Sequence, residues 1–486
     1  MTDVQRGLVA LLATVDEKLA QDAGDAALHF ARAQLLDELG RYEAATRAYL
    51  DVLVRERTHR GAMVRVATLF LTAGSAELAR AIFAEAVSLD PDDAVARVGL
   101  GSALLEQDDL AGARREFEAA VRSAPSNRDA HCGLAMIHER CDERAAADRE
   151  WRLAFPSGTI AVSQYRGAAP PVRVLLIVSA LRANVSLQRL LDDRVFQWAT
   201  LFAESYVPTI ALPPHDVVFN AIGDADSRAS VLEVVEQVLA RTCAPVLNHP
   251  ARVRTTGRAD VAARLREIPH VVTPRIAAIP REQLTAERLT AHGFSFPLLL
   301  RSPGFHTGEH FARVDDAAAL AAVAATLPGA ELLAIEYLDT RRPDGSVRKY
   351  RVMTVAGRLY PLHLAISRDW KVHYFSSAMG EDAAFRAEEE RFLDDMEEAL
   401  GVPAVRALEA IAHTLALDYG GIDFALDVRG RVVVFEANAT MVIARPQPDE
   451  RWTYRRAPTQ RVVEAVQTMI TTRAHASTSH ASTGAA

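Results

Sequence analysis

Three oxygen-bearing side chains, Asp423, Glu436 and Asn438, have the types and spacing of ligands for a hard metal ion. On two paired strands, Asp423 would lie opposite Glu436, and Asn438 would share the Glu436 face because side chains alternate along a strand. Two carboxylates roughly 5 Å apart repel unless a cation lies between them. Oxygen ligands of this kind suit Mg²⁺ beside substrate phosphates, so the pattern indicates a magnesium site.

The pairing depends on a hairpin that the sequence predicts around Arg429-Gly430, a dipeptide suited to a two-residue turn. With that turn, Val428 would face Arg431 across the ladder. The alternative is an ordinary exposed hairpin whose polar face happens to be acidic. Burial is the better interpretation, because the hairpin is strongly apolar and unpaired carboxylates would be costly inside it. Its apolar members are Phe424, Leu426, Val432, Val434 and Phe435.

This pattern, Gly-Ile-Asp-Phe at residues 421–424 followed by Phe-Glu-Ala-Asn at 435–438, resembles the metal-binding hairpin of the ATP-grasp enzymes. That superfamily includes D-alanine ligase, glutathione synthetase and the glutamate ligases that modify protein tails. The resemblance implies that Asp423, Glu436 and Asn438 hold Mg²⁺, or Mn²⁺, which bridges the phosphates of ATP.

The same resemblance assigns phosphate-binding and catalytic roles to three arginines. Arg275 and Arg301 stand where the family usually has basic residues that hold phosphates, commonly Lys at the Arg301 position. Arginine at both positions keeps the charge but changes the contact geometry. Arg351, on a strand of a second predicted hairpin with its turn at Ala356-Gly357, is implied to face the γ-phosphate or an acyl-phosphate.

The resemblance also implies contacts with the rest of the nucleotide and with the substrate. The adenine hinge and ribose contact fall on Glu336, Tyr337, Leu338 and Asp339, although a turn role for Asp339 is an equal alternative. Lys349 replaces an acidic residue often found on the following strand. Side chains that crowd the next segment are predicted to contact substrate rather than zinc, because no third ligand has a recognisable spacing. They are His363, Trp370, Lys371 and His373.

Taken together, the resemblance implies an ADP-forming ligase that activates a carboxylate as an acyl-phosphate and joins it to an amine. The acid and amine would be small molecules or part of a peptide or carrier. Two alternatives remain open. One is an adaptor protein whose nucleotide-binding domain has little or no activity, and the other is a phosphotransferase built on the same fold.

The first third of the chain is a repeat with a period of 34 residues. Alanines and aromatic residues recur together at this spacing. Because positions four apart share a helix face, each small alanine permits close helix approach and each aromatic fills the groove above it. The pattern resembles the tetratricopeptide repeat over about residues 26–155, and a solenoid of this kind commonly receives a protein or peptide segment. The equal alternative is that these helices pack against the enzyme domain or mediate self-association. The repeated positions are Ala45, Ala79, Ala113 and Ala147, with Tyr49, Phe83, Phe117 and Trp151.

We therefore expect a multidomain protein: an all-α repeat solenoid (1–158), an α/β pre-ATP-grasp domain (172–269), an α+β ATP-grasp domain (270–470) and a disordered tail (471–486). Residues 167–171 read as a linker, and residues 172–179, 206–212 and 216–220 as strands of the α/β domain. The disordered tail is expected from its Ser, Thr, Ala and His content.

Composition narrows the classes of partner and compartment. The 486 residues are 49% hydrophobic and 24% charged, which is ordinary for a globular protein. The net charge of −8 with interspersed signs gives no reason to expect nucleic-acid binding. Three scattered cysteines fit a reducing compartment, and no apolar run approaches the roughly 20 residues that span a bilayer. We expect a cytoplasmic protein without a membrane segment.

Overall fold

The computed structural model describes residues 3–73, 75–107, 109–141, 143–156, 160–179, 184–185, 187, 190–226, 229–303, 310–372, 378–443, 446 and 449–482. The chain forms two compact units, Met1–Ser157 and Gly158–Ala486. The predicted pre-ATP-grasp and ATP-grasp segments both fall within the second unit.

The first unit is helical. Several of its helices begin at a side chain that accepts a hydrogen bond from the first turn, as Asp25, Asp93 and Asn127 do. Its helices are α1 (Asp3–Gln21), α2 (Ala26–Glu38), α3 (Tyr42–Arg55), α4 (Arg60–Thr72), α5 (Ala76–Leu89), α6 (Ala94–Glu106), α7 (Leu110–Ser123), α8 (Arg128–Arg140) and α9 (Arg144–Ala154).

The repeated alanines and aromatics lie on α3, α5, α7 and α9, and all eight side chains are buried. Close packing explains why glycine occurs on the neighbouring helices. A Cβ atom added at Gly99 would lie 2.2 Å from the ring of Phe83, and one added at Gly133 would lie 2.4 Å from the ring of Phe117. The predicted helix–turn–helix packing of the repeats is therefore confirmed.

The second unit combines strands and helices. Its strands are β1 (Ile160–Val162), β2 (Val172–Val178), β3 (Phe196–Phe202), β4 (Val217–Asn220), β5 (Val246–Leu247), β6 (Val271–Val272), β7 (Ile276–Pro280), β8 (Leu298–Arg301), β9 (Phe311–Val314), β10 (Glu331–Glu336), β11 (Val347–Val355), β12 (Arg358–Ser367), β13 (Tyr419–Leu426) and β14 (Val432–Asn438). Its helices are α10 (Ala229–Leu239), α11 (Pro250–Val253), α12 (Arg258–Leu265), α13 (Ala286–Ala291), α14 (Leu320–Ala325), α15 (Ala383–Asp394), α16 (Met396–Leu400), α17 (Val402–Leu415) and α18 (Arg456–Ser482).

These strands form three sheets. The first has the order β1-β3-β2-β4-β5, in which the last four strands are parallel and β1 is antiparallel to β3. The second is antiparallel, with the order β7-β10-β8-β9. The third has the order β12-β11-β13-β14-β6, and only β6 runs parallel to its neighbour. The mixed helix-and-sheet architecture expected after the repeats is present.

Asn248 ties the first sheet to the third. It has a positive φ of 54°, a conformation that Asn tolerates better than most residues. Its side chain donates to the carbonyl of Tyr419 at 2.8 Å and accepts from the Tyr419 amide at 2.9 Å, and its own amide donates to Asp418. This buried residue therefore holds two sheets together.

The predicted linker at 167–171 contains no helix or strand, and β1, which precedes it, already belongs to the first sheet. Two local predictions for this unit were wrong. Residues 206–212 are not a strand, and the strand in that region is β3. The tail expected to be disordered from residue 471 instead continues α18 to Ser482.

Helix α18 contributes to the core of this unit. Val462, Val466 and Ile470 are fully buried among residues of β2, β4 and β11. Two polar contacts fix the helix: Gln467 donates to the carbonyl of Leu190 at 2.7 Å, and Arg473 bonds to Asp418 at 2.7 Å. Among the described helices, none combines the length and apolar character needed to cross a membrane.

Candidate functional site

A row of polar side chains crosses four strands of the third sheet. Arg351 on β11 pairs with His363 on β12 and with Asp423 on β13. Asp423 in turn pairs with Glu436 on β14, as the sequence predicted. Directly paired residues on adjacent strands share a face, so these four side chains form one line across the sheet.

The register is as predicted, but the turn is not. Residues 427–431 form the connection, and the Asp427 carboxylate accepts hydrogen bonds from the amides of Arg429 and Arg431. The ladder resumes at Leu426 opposite Val432, so Val428 does not face Arg431. A one-residue irregularity after Asp423 then restores the predicted pairing.

Asp423 is fully buried and pairs with two cations. Arg351 donates to both of its carboxylate oxygens, through Nε at 2.6 Å and Nη2 at 2.8 Å. Lys349, two residues earlier on the same strand face, places Nζ 2.6 Å from Oδ2. Burial alone would raise the pKa of Asp423, but Arg351 and Lys349 outweigh burial and hold it far below its usual value. Asp423 is therefore a carboxylate whose charge is already compensated.

Glu436 and Asn438 have partners of their own. Arg258, at the start of α12, donates to Glu436 Oε1 at 2.7 Å, and the Asn438 amide donates to the same oxygen at 2.8 Å. Asn438 Oδ1 accepts from the amide and the hydroxyl of Thr440. Burial would raise the pKa of Glu436, whereas Arg258 is the main influence that lowers it.

The three predicted metal ligands are thus brought together, but this arrangement does not fit a magnesium ion. Mg²⁺ needs near-octahedral oxygens at about 2.0–2.1 Å, and both oxygens of Asp423 and the Asn438 Oδ1 already accept hydrogen bonds or ion pairs. Within the described ranges, no group of three or more His, Cys, Asp or Glu side chains is placed to hold a metal.

Arg301, at the end of β8, reaches the same region from the second sheet. It is buried, and its guanidinium lies 5.4 Å from the centroid of the Phe311 ring. Burial and the neighbouring Arg258 lower its pKa to about 10, while Glu436, Asp224 and Asp226 act in the opposite direction. Arg258, Glu436, Asp224 and Asp226 are thus the charges that act on Arg301. We call the eight residues Asp224, Asp226, Arg258, Arg301, Lys349, Arg351, Asp423 and Glu436 the charged cluster.

Asp224 and Asp226 enter the charged cluster from the loop after β4. This loop approaches the end of β14 closely, because a Cβ added at Gly223 would lie 2.7 Å from the carbonyl carbon of Ala439. Asp226 also accepts a hydrogen bond from the Arg258 amide at 3.3 Å. The loop after β4 therefore contributes two carboxylates to the same region.

A small open pocket borders one side of the cluster. Glu436, Asn438 and Arg258 supply its polar wall, and Phe435 and Ile276 contribute apolar surface. The remaining lining residues are Thr256, Val261, Ala262, Thr273, Pro274, Val434 and Ala437. A ligand in this pocket would therefore meet the edge of the charged cluster.

Arg275 makes different contacts from those predicted. Its guanidinium donates to the carbonyl of His292 at 2.9 Å, and its amide donates to the Glu336 carboxylate at 2.9 Å. The Glu336 amide donates back to the Arg275 carbonyl at 2.9 Å. At the predicted adenine hinge, the backbone amide of Glu336 therefore donates to another part of the protein.

The rest of the predicted hinge lies beside aromatic residues. Arg313 lies 4.6 Å from the centroid of the Tyr337 ring, and Trp370 contacts both Tyr337 and Phe311 edge to face. Asp339 forms an exposed ion pair with Arg341, whose hydrogen bonds lower the pKa of Asp339. Leu338 is partly exposed.

The predicted substrate residues separate into two places. His363 lies in the row, where burial and then Arg351 hold its pKa well below the usual value, so the imidazole is neutral. Trp370 packs on Phe311, and the Lys371 ammonium donates to the Phe311 carbonyl at 3.4 Å. His373 lies outside the described residues.

Sequence reasoning missed two residues that pair directly with the carboxylates of the row, Asp423 and Glu436. Lys349 was noted only as a departure from the family pattern, and its position two residues before Arg351 was the available signal that both share one face. Nothing local identifies the partner of Arg258, since Glu436 lies 178 residues away.

Comparison with known proteins identifies the helical region. Sequence profiles of the tetratricopeptide repeat match residues 30–94 and 70–140. Among solved structures, MamA from Desulfovibrio magneticus RS-1 is 23% identical with a TM-score of 0.29, over 31% of this chain and 86% of that chain. YrrB, described as a TPR protein with an unusual peptide-binding site, is 20% identical with a TM-score of 0.29, over 31% of this chain and 79% of that chain. No curated protein matches the chain. The chain therefore carries tetratricopeptide repeats in its N-terminal region, followed by a mixed region of helices and sheets.

Proposed function

We propose that the second unit is an ATP-dependent ligase of the ATP-grasp type, which activates a carboxylate as an acyl-phosphate and joins it to an amine. The observation that carries the proposal is the charged cluster, in which Arg301 from one sheet meets Arg258 and the Arg351–Asp423–Glu436 row of another. Several cations gathered in one region suit the phosphate chain of a nucleotide.

In this proposal the chain's own cations hold the transferred phosphoryl group. Arg301 and Arg258 would donate to phosphate oxygens, and Arg351 would steady the γ-phosphoryl group while the substrate carboxylate attacks it. Charge then moves onto the bridging oxygen of the departing ADP, and the new acyl-phosphate is open to an amine, which displaces phosphate. No protein nucleophile is required.

The repeats would supply recognition of a protein or peptide segment. Tetratricopeptide solenoids present an extended surface that suits such a ligand. We propose that the repeats of this chain bind a protein or peptide partner that carries, or accompanies, the acid or the amine. The substrate would then be a peptide or carrier rather than a free metabolite.

Calorimetric titration with ATP and a screen for ADP release test the ligase proposal. We expect Arg351→Met to lower the affinity for ATP, or the rate of ADP release, at least tenfold. The matched control is Arg431→Met, which removes an arginine from the turn of the adjacent hairpin, where it pairs with Asp427 at 2.7 Å. If both variants behave alike, or if native protein binds no ATP at all, the ligase proposal is wrong.

A second candidate is an adaptor whose second unit is structural. The observation that favours it is that the Asp423 carboxylate already forms ion pairs with Arg351 and Lys349. An adaptor would bind a partner through the repeats without releasing ADP under any substrate combination. A phosphotransferase would release ADP but yield a phosphorylated product, which mass spectrometry distinguishes from an amide.

A further inference from the structure

The charged cluster contains a lysine at the place where a metal-dependent site would need a cation. Lys349 Nζ lies 2.6 Å from Asp423 Oδ2 and also influences Glu436 electrostatically. We infer that the Lys349 ammonium takes the cation position beside the Asp423–Glu436 pair, so that this cluster needs no divalent metal to hold its carboxylates together.

Distance is the first argument. An ammonium nitrogen 2.6 Å from Oδ2 occupies the space in which a magnesium ion would lie about 2.0–2.1 Å from the same oxygen. Arg351 holds both oxygens of that carboxylate in a bidentate contact at 2.6 and 2.8 Å. A metal could take this position beside Asp423 Oδ2 only after Lys349 had moved away.

Charge is the second argument. The Asp423 carboxylate already has two cationic partners, since Arg351 and Lys349 both contact it at hydrogen-bond distance. Buried charges are tolerated when they are paired, and an added divalent cation would leave a buried excess of positive charge. His363, which completes the row, adds no charge while it is neutral.

The chemistry of the side chains is the third argument. Arginine forms a rigid planar fork that suits a bidentate carboxylate contact, whereas lysine carries a compact charge on a flexible stem. The ammonium of Lys349 is therefore the cation in this cluster that most resembles a metal ion in size and mobility. A phosphate oxygen entering the site would meet it as a point charge.

Manganese binding without nucleotide tests the inference directly, and it does not depend on ATP. We would titrate the full chain with Mn²⁺ and measure free Mn²⁺ by electron paramagnetic resonance. We expect Lys349→Met to bind Mn²⁺ at least tenfold more tightly than native protein, and Lys349→Arg to match native protein. The double variant Lys349→Met with Asp423→Asn should lose the gain, and Lys18→Met serves as a control in the other unit.

Two results would overturn the inference. One is native protein that already binds Mn²⁺ as tightly as Lys349→Met does, with binding lost in Asp423→Asn. The other is a Lys349→Met protein that gains no affinity. Lys349→Gln, which keeps a polar end group, is measured in parallel and replaces Lys349→Met in both comparisons if Lys349→Met unfolds.

The consequence for nucleotide binding rests on the proposed function. If the ligase proposal holds, ATP should bind native protein in excess chelator within about threefold of its affinity in Mg²⁺, whereas Lys349→Met should lose at least tenfold in chelator. Loss of native binding in chelator with recovery in Mg²⁺ would contradict the lysine inference alone. No binding under either condition would contradict the ligase proposal, and the manganese titration would still decide the inference.

Discussion

Replacing Asp423 by Asn tests whether the charged cluster is held together by ion pairs inside the protein. The change keeps the shape of the side chain but removes a fully buried charge that pairs with Arg351 and Lys349. Removing one partner of a buried pair leaves an uncompensated charge and typically costs about 3–5 kcal/mol. We expect the free energy of unfolding of the second unit to fall by about that amount.

The assay is urea unfolding of the full chain followed by tryptophan fluorescence, because Trp198, Trp370 and Trp452 all lie in the second unit. Glu236→Gln is the matched control. It breaks a partly exposed pair with Arg254 of the same unit, whose shortest contact is 2.6 Å, and is expected to cost about 1 kcal/mol or less.

An Asp423→Asn protein as stable as the Glu236→Gln control, or more stable than native protein, would refute this reasoning. Relief of repulsion between Asp423 and Glu436 would then outweigh the loss of the ion pairs. Such a result would mean that the two carboxylates are not neutralised by the side chains around them.

Three further predictions concern other parts of the molecule. Because Arg351 and Lys349 hold the pKa of Asp423 below its unfolded value, its contribution to stability is present above about pH 4. The stability gap between native protein and Asp423→Asn should therefore be equal at pH 7 and pH 5, and should narrow only as the pH falls below about 4, in urea titrations at each pH. Gly133→Ala should destabilise the repeats by about 1–3 kcal/mol, because its methyl group would meet the Phe117 ring. The control Gly7→Ala, which has open space around it, should stabilise them by up to about 1 kcal/mol. Thermal unfolding followed by circular dichroism compares the two variants, and equal effects would contradict the packing. Burial raises the pKa of the Cys132 thiol to about 11, so a thiol reagent at pH 8 should modify the exposed Cys141 and Cys243 first, and rapid loss of all three thiols would show that Cys132 is accessible.

The features that the sequence predicted correctly depend on local signals. The alanine and aromatic positions of the repeats recur within single helices, so their spacing alone predicts which faces are buried. The hairpin at Ala356-Gly357 was also predicted from a local signal, a turn dipeptide between two apolar runs. In the structure both turn residues adopt a positive φ, at 49° and 77°, as a tight hairpin turn requires.

Strand β3 was missed because two neighbouring segments both contain residues that favour strands. The sequence at 206–212 has Tyr206 and Val207, but Pro208 follows and cannot donate to a ladder. The segment Phe196–Phe202 has no such obstacle and pairs with β2 along its whole length. Greater weight on the proline would have favoured the correct strand.

The hairpin register was predicted correctly by way of two errors that cancel. The Asp427 side chain bonds to two amides of the turn, which makes the connection longer than a two-residue turn. The irregularity next to Asp423 then shifts the ladder back. Neither feature has a signal that composition or alternation reveals.

The ion pairs of the charged cluster could not be predicted because they join distant parts of the chain. Arg351 lies 72 residues from Asp423, and the sequence does not state which cations approach a given carboxylate. Residue type predicted that a cation must lie between Asp423 and Glu436. Only the fold reveals that side chains of the protein provide positive charge there.

The position of α18 in the core also has a consequence for synthesis on the ribosome. Chains fold from the N-terminus as they emerge, at about 5–20 residues per second, so the helices up to Ala154 can pack early. The second unit cannot complete its core at that stage, because Val462, Val466 and Ile470 fill space between strands made much earlier in the chain, such as β2. Until they arrive, an apolar surface of those sheets is uncovered, and this interval is when we expect the nascent protein to be most prone to aggregation and most dependent on chaperones.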